Sequence, residues 1–208
     1  MYIIVEGGDG SGKDTQADFL TYKLKSKNKN VLKVAEPYEG FEIGQLLRSY
    51  LKSGKYQEAH AGYFFTDRLM LQNYVIAPEL VEGHTVISVR SFISTLVYQQ
   101  DNWSLSWLLK LNALLPLRPD VIIFIDTSAE ECWRRISARN RFLEVYEADQ
   151  EKVARNNERY KNILSKPGLL TGLVKSTTRI IRVPGDGTPY DVSMEMLARL
   201  QSQGVSLV

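Results

Sequence analysis

The sequence predicts an α/β fold built on a parallel sheet, and three observations carry that expectation. Short apolar runs alternate with helical segments along the chain. The run Val121-Ile-Ile-Phe-Ile-Asp126 is apolar almost throughout, as a strand buried on both faces is. A glycine-rich loop joins the first apolar run to the first helix.

Taken in order, Tyr2–Val5 reads as a buried strand, followed by helical spacing from about Thr15 to Lys27 and a polar turn ending at Asn30. Val31–Ala35 is the second strand. Glu36-Pro37-Tyr38-Glu39-Gly40 then forms a loop at a strand's carboxyl end, where open α/β sheets place their ligands. Phe41–Leu51 reads as a short helix with Arg48 on its polar side, and 57–81 as a longer helix carrying Tyr63-Phe-Phe-Thr-Asp-Arg68. Thr85–Ser88 is the third strand, leading through Val89-Arg90 into a helix with Ser94, Tyr98 and Gln99. The stretch 103–117 reads as a buried helix, too short for a membrane span and interrupted by Lys110 and Pro116. A fourth strand at 121–126 precedes a helix with Arg134 and Arg135, and Arg139 and Arg141 lie close behind. A helix at 149–164, a last strand at 179–183 and a closing helix at 193–203 complete the chain.

The opening stretch carries the chemistry. Gly7, Gly8, Gly10 and Gly12 remove Cβ atoms where backbone N–H groups must turn inward around an anion. Lys13 adds a mobile positive charge, and a helix starting near Thr15 directs the positive end of its dipole at the same spot. The pattern Gly-x4-Gly-Lys-[Ser/Thr] is met except at its last position, where Asp14 stands with Thr15 one place later. Residues 7–15, with Asp9 and Ser11 among them, are therefore candidate contacts for a polyphosphate.

A net charge of +2 over 208 residues gives no bulk electrostatic reason to expect a nucleic-acid or membrane partner. The single cysteine, Cys132, excludes an intrachain disulfide and a cysteine-based metal site, and reads as a small buried hydrophobe. His60 and His84 are isolated, without ligand spacing. The N-terminus shows no secretory signal, so a cytoplasmic location is the expectation.

Five further motifs accompany Gly7-x-Asp-Gly-x-Gly-Lys-x-Thr-Gln16. They are Glu36-Pro37, Phe64-x-x-Asp-Arg68, Ser88-x-Arg90, Ser94-x-x-x-Tyr-Gln99, and Arg118-Pro-Asp120 with Asp126 after the next strand. In this order the set resembles the thymidylate kinase family from Tyr2 to about Tyr160. The resemblance implies a P-loop NTPase-type five-stranded parallel sheet flanked by helices. It also implies a single kinase domain over 1–208 with a short arginine-bearing lid at about 136–148, and a homodimer. The implied activity is transfer of the ATP γ-phosphate, with Mg²⁺, to dTMP, giving dTDP and ADP for dTTP synthesis. By the same resemblance Phe64 would stack on thymine and Arg68 would hydrogen-bond the base. Arg48 and Arg90 would hold the acceptor phosphate, and Tyr98 and Gln99 would lie near base and sugar, with Ser94 and Glu36 beside them. Aromatic faces suit bases and the guanidinium fork suits phosphate oxygens, so these residue types fit those tasks on chemical grounds too.

Direct phosphoryl transfer needs positive charge on the migrating group and exclusion of water. By the same resemblance a catalytic arginine sits either in the phosphate loop or in the lid, and since the loop holds Ser11 and no arginine, the resemblance implies that the lid supplies it. Arg139 and Arg141 are the candidates, whereas Arg134 and Arg135 read as a solvated helix face.

The chain departs from the family's pattern at four places. Asp14 replaces the loop hydroxyl and is the candidate Mg²⁺ ligand. Val89 stands where an aspartate usually precedes Arg90, Ala35 where an arginine often precedes Glu-Pro, and Ser91 where an aromatic residue or histidine is usual. The alternatives are a nucleotide-binding module of the same fold with lost or altered activity, and a deoxynucleotide kinase of relaxed specificity. Trp103 and Trp107, one helical turn apart, mark either core or a dimer face.

Overall fold

The computed structural model describes residues 1–138, 146 and 149–205. Among them β1 (Tyr2–Glu6), β2 (Val31–Ala35), β3 (Thr85–Val89), β4 (Val121–Asp126) and β5 (Arg179–Pro184) form one parallel sheet in the order β2-β3-β1-β4-β5. The helices are α1 (Lys13–Lys25), α2 (Glu42–Ser53), α3 (His60–Leu71), α4 (Ala77–Val81), α5 (Phe92–Tyr98), α6 (Leu105–Asn112), α7 (Ala129–Ser137), α8 (Gln150–Leu164) and α9 (Pro189–Ser202). The five-stranded parallel architecture expected from the sequence is the one observed.

Side chains alternate across the sheet, as a period of two requires. Ile3, Val5, Ile87, Val89, Ile123 and Ile125 pack with Ala17, Leu20 and Leu24 of α1 and Val192, Met196 and Leu200 of α9. Tyr2, Ile4, Val86, Ile122 and Phe124 face the other way, toward residues of α2, α3, α5, α6 and α8. Both faces are covered, which is why these strands read as continuous apolar runs. The chain leaves β1 for one edge of the sheet and leaves β3 for the other. The loops after β1 and β3 therefore open onto the crevice where the winding changes direction.

Three boundaries differ from the sequence expectation for identifiable reasons. The long helix at 57–81 divides into a 3₁₀ turn at Gln57–Ala59, α3, a π-helical turn at Gln72–Ile76 and α4. Pro78 lacks the N–H that would bond the carbonyl four residues back, and its ring crowds that carbonyl, so the helix widens just before it. The expected 103–117 helix contracts to α6. Ser104 caps it by accepting a hydrogen bond from Trp107 N at 3.3 Å, leaving Trp103 outside. Trp103 and Trp107 are not core; they stack on one another at 4.3 Å and remain about a third exposed. The last helix begins at Pro189, earlier than expected, because Thr188 caps it and proline suits the first turn. Among the described residues no helix is long and apolar enough to cross a membrane.

Candidate active site

The loop between β1 and α1 is held tightly from below. Gly10 has φ +79°, and a Cβ there would lie 2.4 Å from the Cys132 carbonyl oxygen, so both the conformation and the space demand glycine. Thr127 Oγ1 donates to Ser11 O at 2.9 Å. Gly12 caps α1 in the left-handed region, which turns Lys13 back over the loop. Lys13 is buried, with Nζ 3.4 Å from Gly8 O and 3.8 Å from the carboxylates of both Asp9 and Asp14. Burial and then the nearby Arg90 charge hold its pKa below the ordinary lysine value. A site that penalises its own ammonium is one that an anion would relieve. Asp14 and Thr15 are exposed in the first turn of α1.

On the β3 side of the loop lies a cleft of about 480 Å³. Asp9 of the phosphate loop and Arg90, Ser94 and Tyr98 from the segment after β3 line it together with Pro37, Arg48, Leu51, Phe64 and Tyr146. Arg90 follows β3 with φ +71°, a conformation costing a non-glycine residue about 1–3 kcal/mol. Its Nη2 donates to Asp9 Oδ1, its guanidinium sits 5.2 Å from the centre of the Tyr98 ring, and Tyr98 OH donates to Asp9 Oδ2 at 3.0 Å. Burial alone would raise the Asp9 pKa, but the Arg90 and Lys13 charges and these hydrogen bonds hold it down at about 2. Val89, where an aspartate was the expectation, is turned into the core beside Val5 and Ala35. The carboxylate beside Arg90 comes instead from the phosphate loop. Arg48 lines the cleft and also donates from Nε to Glu39 Oε1 at 3.0 Å.

The floor of this cleft is a buried ion pair. Arg68 donates from Nε to both Glu36 oxygens at 3.0 and 2.9 Å and from Nη2 to Oε2 at 2.6 Å. It also donates to Asn112 Oδ1 at 2.9 Å, Ser91 O at 2.9 Å and Thr95 Oγ1 at 3.1 Å. Both members of the pair are about 1% exposed at the side chain. Glu36 is therefore committed to Arg68, and burial pushes its carboxyl pKa up against the opposing pull of that guanidinium.

Next to Arg68, Asp67 accepts from Tyr38 N at 2.9 Å and fixes the loop after β2. Burial raises its pKa from 3.8 to about 6. The folded chain thus keeps a proton that the unfolded chain releases between about pH 4 and 6. Stability from this group is present at low pH and lost as pH rises through 6. Asp67→Asn should raise the melting temperature by several degrees at pH 8 and leave it unchanged or lower at pH 4, a comparison thermal denaturation at the two pH values checks.

On the other side of the loop a second cleft, about 920 Å³, is lined by Gly10–Gly12, Thr15, Gln16, Arg134, Arg135, the 185–188 turn and Pro189 at the start of α9. Arg134 is exposed and paired with Glu131, as the sequence suggests. Arg135 is not a solvated residue. Nε bonds Glu131 at 2.6 Å, Nη1 donates to Ser11 O at 3.2 Å, and Nη2 donates to Gly185 O at 3.0 Å, tying the phosphate loop to the turn before α9.

The family model for thymidylate kinase matches residues 5–176. The chain belongs to the thymidylate kinase family. A probable thymidylate kinase of Pyrococcus horikoshii is 38% identical over 154 residues, covering 69% of this chain and 73% of that protein. One from Methanothermobacter thermautotrophicus is 34% identical over 176 residues, or 82% and 84% of the two chains. One from Methanosphaera stadtmanae is 30% identical over 197 residues, or 92% and 91%.

Within this thymidylate kinase fold, most of the sequence-derived site residues gather at the two clefts. Asp9, Glu36, Arg48, Phe64, Arg68, Arg90, Ser94 and Tyr98 converge on one cleft, and Gly10, Ser11, Gly12 and Thr15 line the other. Gln99 is buried but does not line the first cleft; it donates to Tyr146 OH at 2.7 Å from behind. Arg139 and Arg141 lie outside the described residues. His60 and Tyr146 are further participants that the sequence reading did not place at the site. Tyr146 OH meets His60 Nδ1 at 2.8 Å, while His60 Nε2 lies 2.8 Å from Lys55 O, which can only accept. The tautomer is thereby fixed: Nε2 carries the proton, and Tyr146 donates to Nδ1 while accepting from Gln99. His60 is thus a brace for a cleft wall, and burial lowers its pKa to favour the neutral ring this requires.

Proposed function

We propose that the protein transfers the γ-phosphate of ATP to dTMP. The observation that carries this reading is the division of space by the phosphate loop. One cleft holds Phe64, Tyr98 and Tyr146 with Arg48, Arg68 and Arg90, the other is lined by the loop at 10–12 with Arg134 and Arg135, and Lys13, which follows Gly12, reaches to 3.8 Å from Asp9 of the first cleft. Two nucleotides bound end to end across Lys13 meet at their phosphates, which is the arrangement direct in-line transfer needs.

In this reading loop amides and Lys13 hold the donor phosphates, while Arg48 and Arg90 orient the acceptor phosphate. Phe64 stacks on thymine, Arg68 offers its remaining Nη1 proton to the base, and Tyr98 packs against the sugar. Asp9 acts by holding Arg90. Arg139 and Arg141 of a lid at about 136–148 neutralise the migrating phosphoryl. Among the described residues no three His, Cys, Asp or Glu side chains form a metal cluster. The exposed Asp14 carboxylate suits Mg²⁺ as an oxygen donor, and the ion would supply charge neutralisation on the donor phosphates. Single-domain organisation over 1–208, a homodimer using the partly exposed Trp103–Trp107 face, and a cytoplasmic location complete the proposal.

Initial rates of ADP formation with dTMP, dUMP, CMP and AMP test the assignment, with dTMP expected to give the highest kcat/KM. Preference for a purine acceptor would overturn it. Phe64→Ala should cost about 1–3 kcal/mol of base stacking, raising the dTMP KM about fivefold or more, while Phe64→Leu loses less. Steady-state kinetics at saturating ATP measure this.

A further inference from the structure

Glu6, the last residue of β1, is fully buried and belongs to none of the roles above. We propose that it is the positioning residue for Arg90, an inference that rests on Arg90 holding the acceptor phosphate. Its carboxylate receives hydrogen bonds from three places in the chain. Ser91 Oγ donates to Oε1 at 2.6 Å and Ser94 N to Oε1 at 3.2 Å. Ser94 Oγ and Tyr160 OH both lie 2.9 Å from Oε2. Arg90 Nη1 in turn donates to Ser94 Oγ at 3.4 Å.

These contacts define a path. Arg90 is gripped on one side by Asp9 directly and on the other by Glu6 through Ser94. Ser91, the residue after the left-handed Arg90, also caps α5 by accepting from Ile93 N at 3.1 Å. Glu6 thus pins the residue following the strained turn, the first turn of α5 and the serine behind the guanidinium. Strain of this kind persists only where the surroundings over-determine it. The same carboxylate sits one residue before Gly7, so one side chain sets the acceptor arginine relative to the donor loop. Tyr160 extends the tie to α8, the helix that follows the lid segment. With Val89 in the core, Asp9 and Glu6 together take up the organisation of Arg90 that a neighbouring aspartate would otherwise provide.

Glu6→Gln tests this with little change in volume. An amide has one acceptor oxygen, so two of the donors facing the carboxylate then confront an N–H₂ group. Binding of dTMP and of thymidine, which lacks the phosphate, is measured by calorimetry for the parent, Glu6→Gln, Ser94→Ala and the double variant. Expected for Glu6→Gln is a fall of about tenfold or more in the dTMP-to-thymidine affinity ratio, with thymidine affinity itself little changed. Ser94→Ala should lower the ratio as well, and the double variant should be no worse than the more damaged single one, because both cut one path. A general loss of structure would lower both affinities together and overturn the proposal. So would an unchanged ratio in Glu6→Gln, or losses in the two single variants that simply add. If the parent itself fails to favour dTMP over thymidine, the reading of the cleft falls, and the Glu6 assignment with it.

Discussion

Lys13→Ala should lower dTMP-dependent ADP formation by at least about 10²–10³-fold without lowering the melting temperature. The magnitude follows from removing a preorganised cation aimed at transferring phosphate. It is compounded here because Asp9 and Asp14, each 3.8 Å from Nζ, would then present negative charge to the donor phosphates with nothing between. The unchanged stability follows from the same geometry. Lys13 is a buried ammonium whose pKa is pushed down by desolvation and by Arg90, so the folded chain gains little from its charge in the absence of nucleotide. Activity and stability should therefore separate cleanly. Initial-rate and thermal-denaturation measurements on the same preparation check this, and retention of more than a tenth of the parent rate would contradict it.

Arg68→Met is expected to be the most destabilising of the site variants, by about 3–5 kcal/mol, because it leaves the Glu36 carboxylate buried without its counter-charge. The loss reaches beyond one ion pair. Asn112 on α6, Ser91 and Thr95 around α5, and Glu36 after β2 are joined only through this guanidinium in the hydrogen bonds described above. Glu36→Gln combined with Arg68→Met should recover much of the stability, since the cost of an unpaired charge disappears with the charge. Denaturant titrations of the two single variants and the double variant give the coupling energy. A cost below about 1 kcal/mol for Arg68→Met would show that water or a neighbouring cation reaches Glu36. The double variant should still bind dTMP poorly, because recovery of the fold does not restore the base contact.

Much of the sheet and the phosphate loop was legible in the sequence because both are local signals. Val121–Asp126 announces a strand covered on both faces by being apolar at consecutive positions, and the loop announces itself by glycines at positions where a Cβ has no room, as at Gly10. The arginines of the first cleft were legible through motif order. What was not legible depends on distant chain segments meeting. Arg135 looked like one more cation on a polar helix face, and its role comes from carbonyl oxygens at Ser11 and Gly185. Nothing in the sequence around a residue reports backbone acceptors contributed by other loops.

His60 and Tyr146 are 86 positions apart and share a hydrogen bond that no spacing rule anticipates. The isolated histidine, without ligand spacing, gave no sign in the sequence of its place beside Tyr146. Glu6 was hidden for another reason: at the end of an apolar run next to glycines it reads as the polar end of a strand. Its four donors come from Ser91, Ser94 and Tyr160. Pro78 lies inside the stretch read as one helix, and the π turn before it is the physical response to that proline.

The most direct test is a stoichiometry. The protein is incubated with Mg-ATP and excess dTMP, and ATP, ADP, dTMP and dTDP are separated and quantified over time. One dTDP should appear for each ADP, with ADP formation falling to a small background when dTMP is omitted. ATP consumption without dTDP, or with dTDP well short of ADP, would contradict the assignment and mean that the phosphate loop works with water or another acceptor.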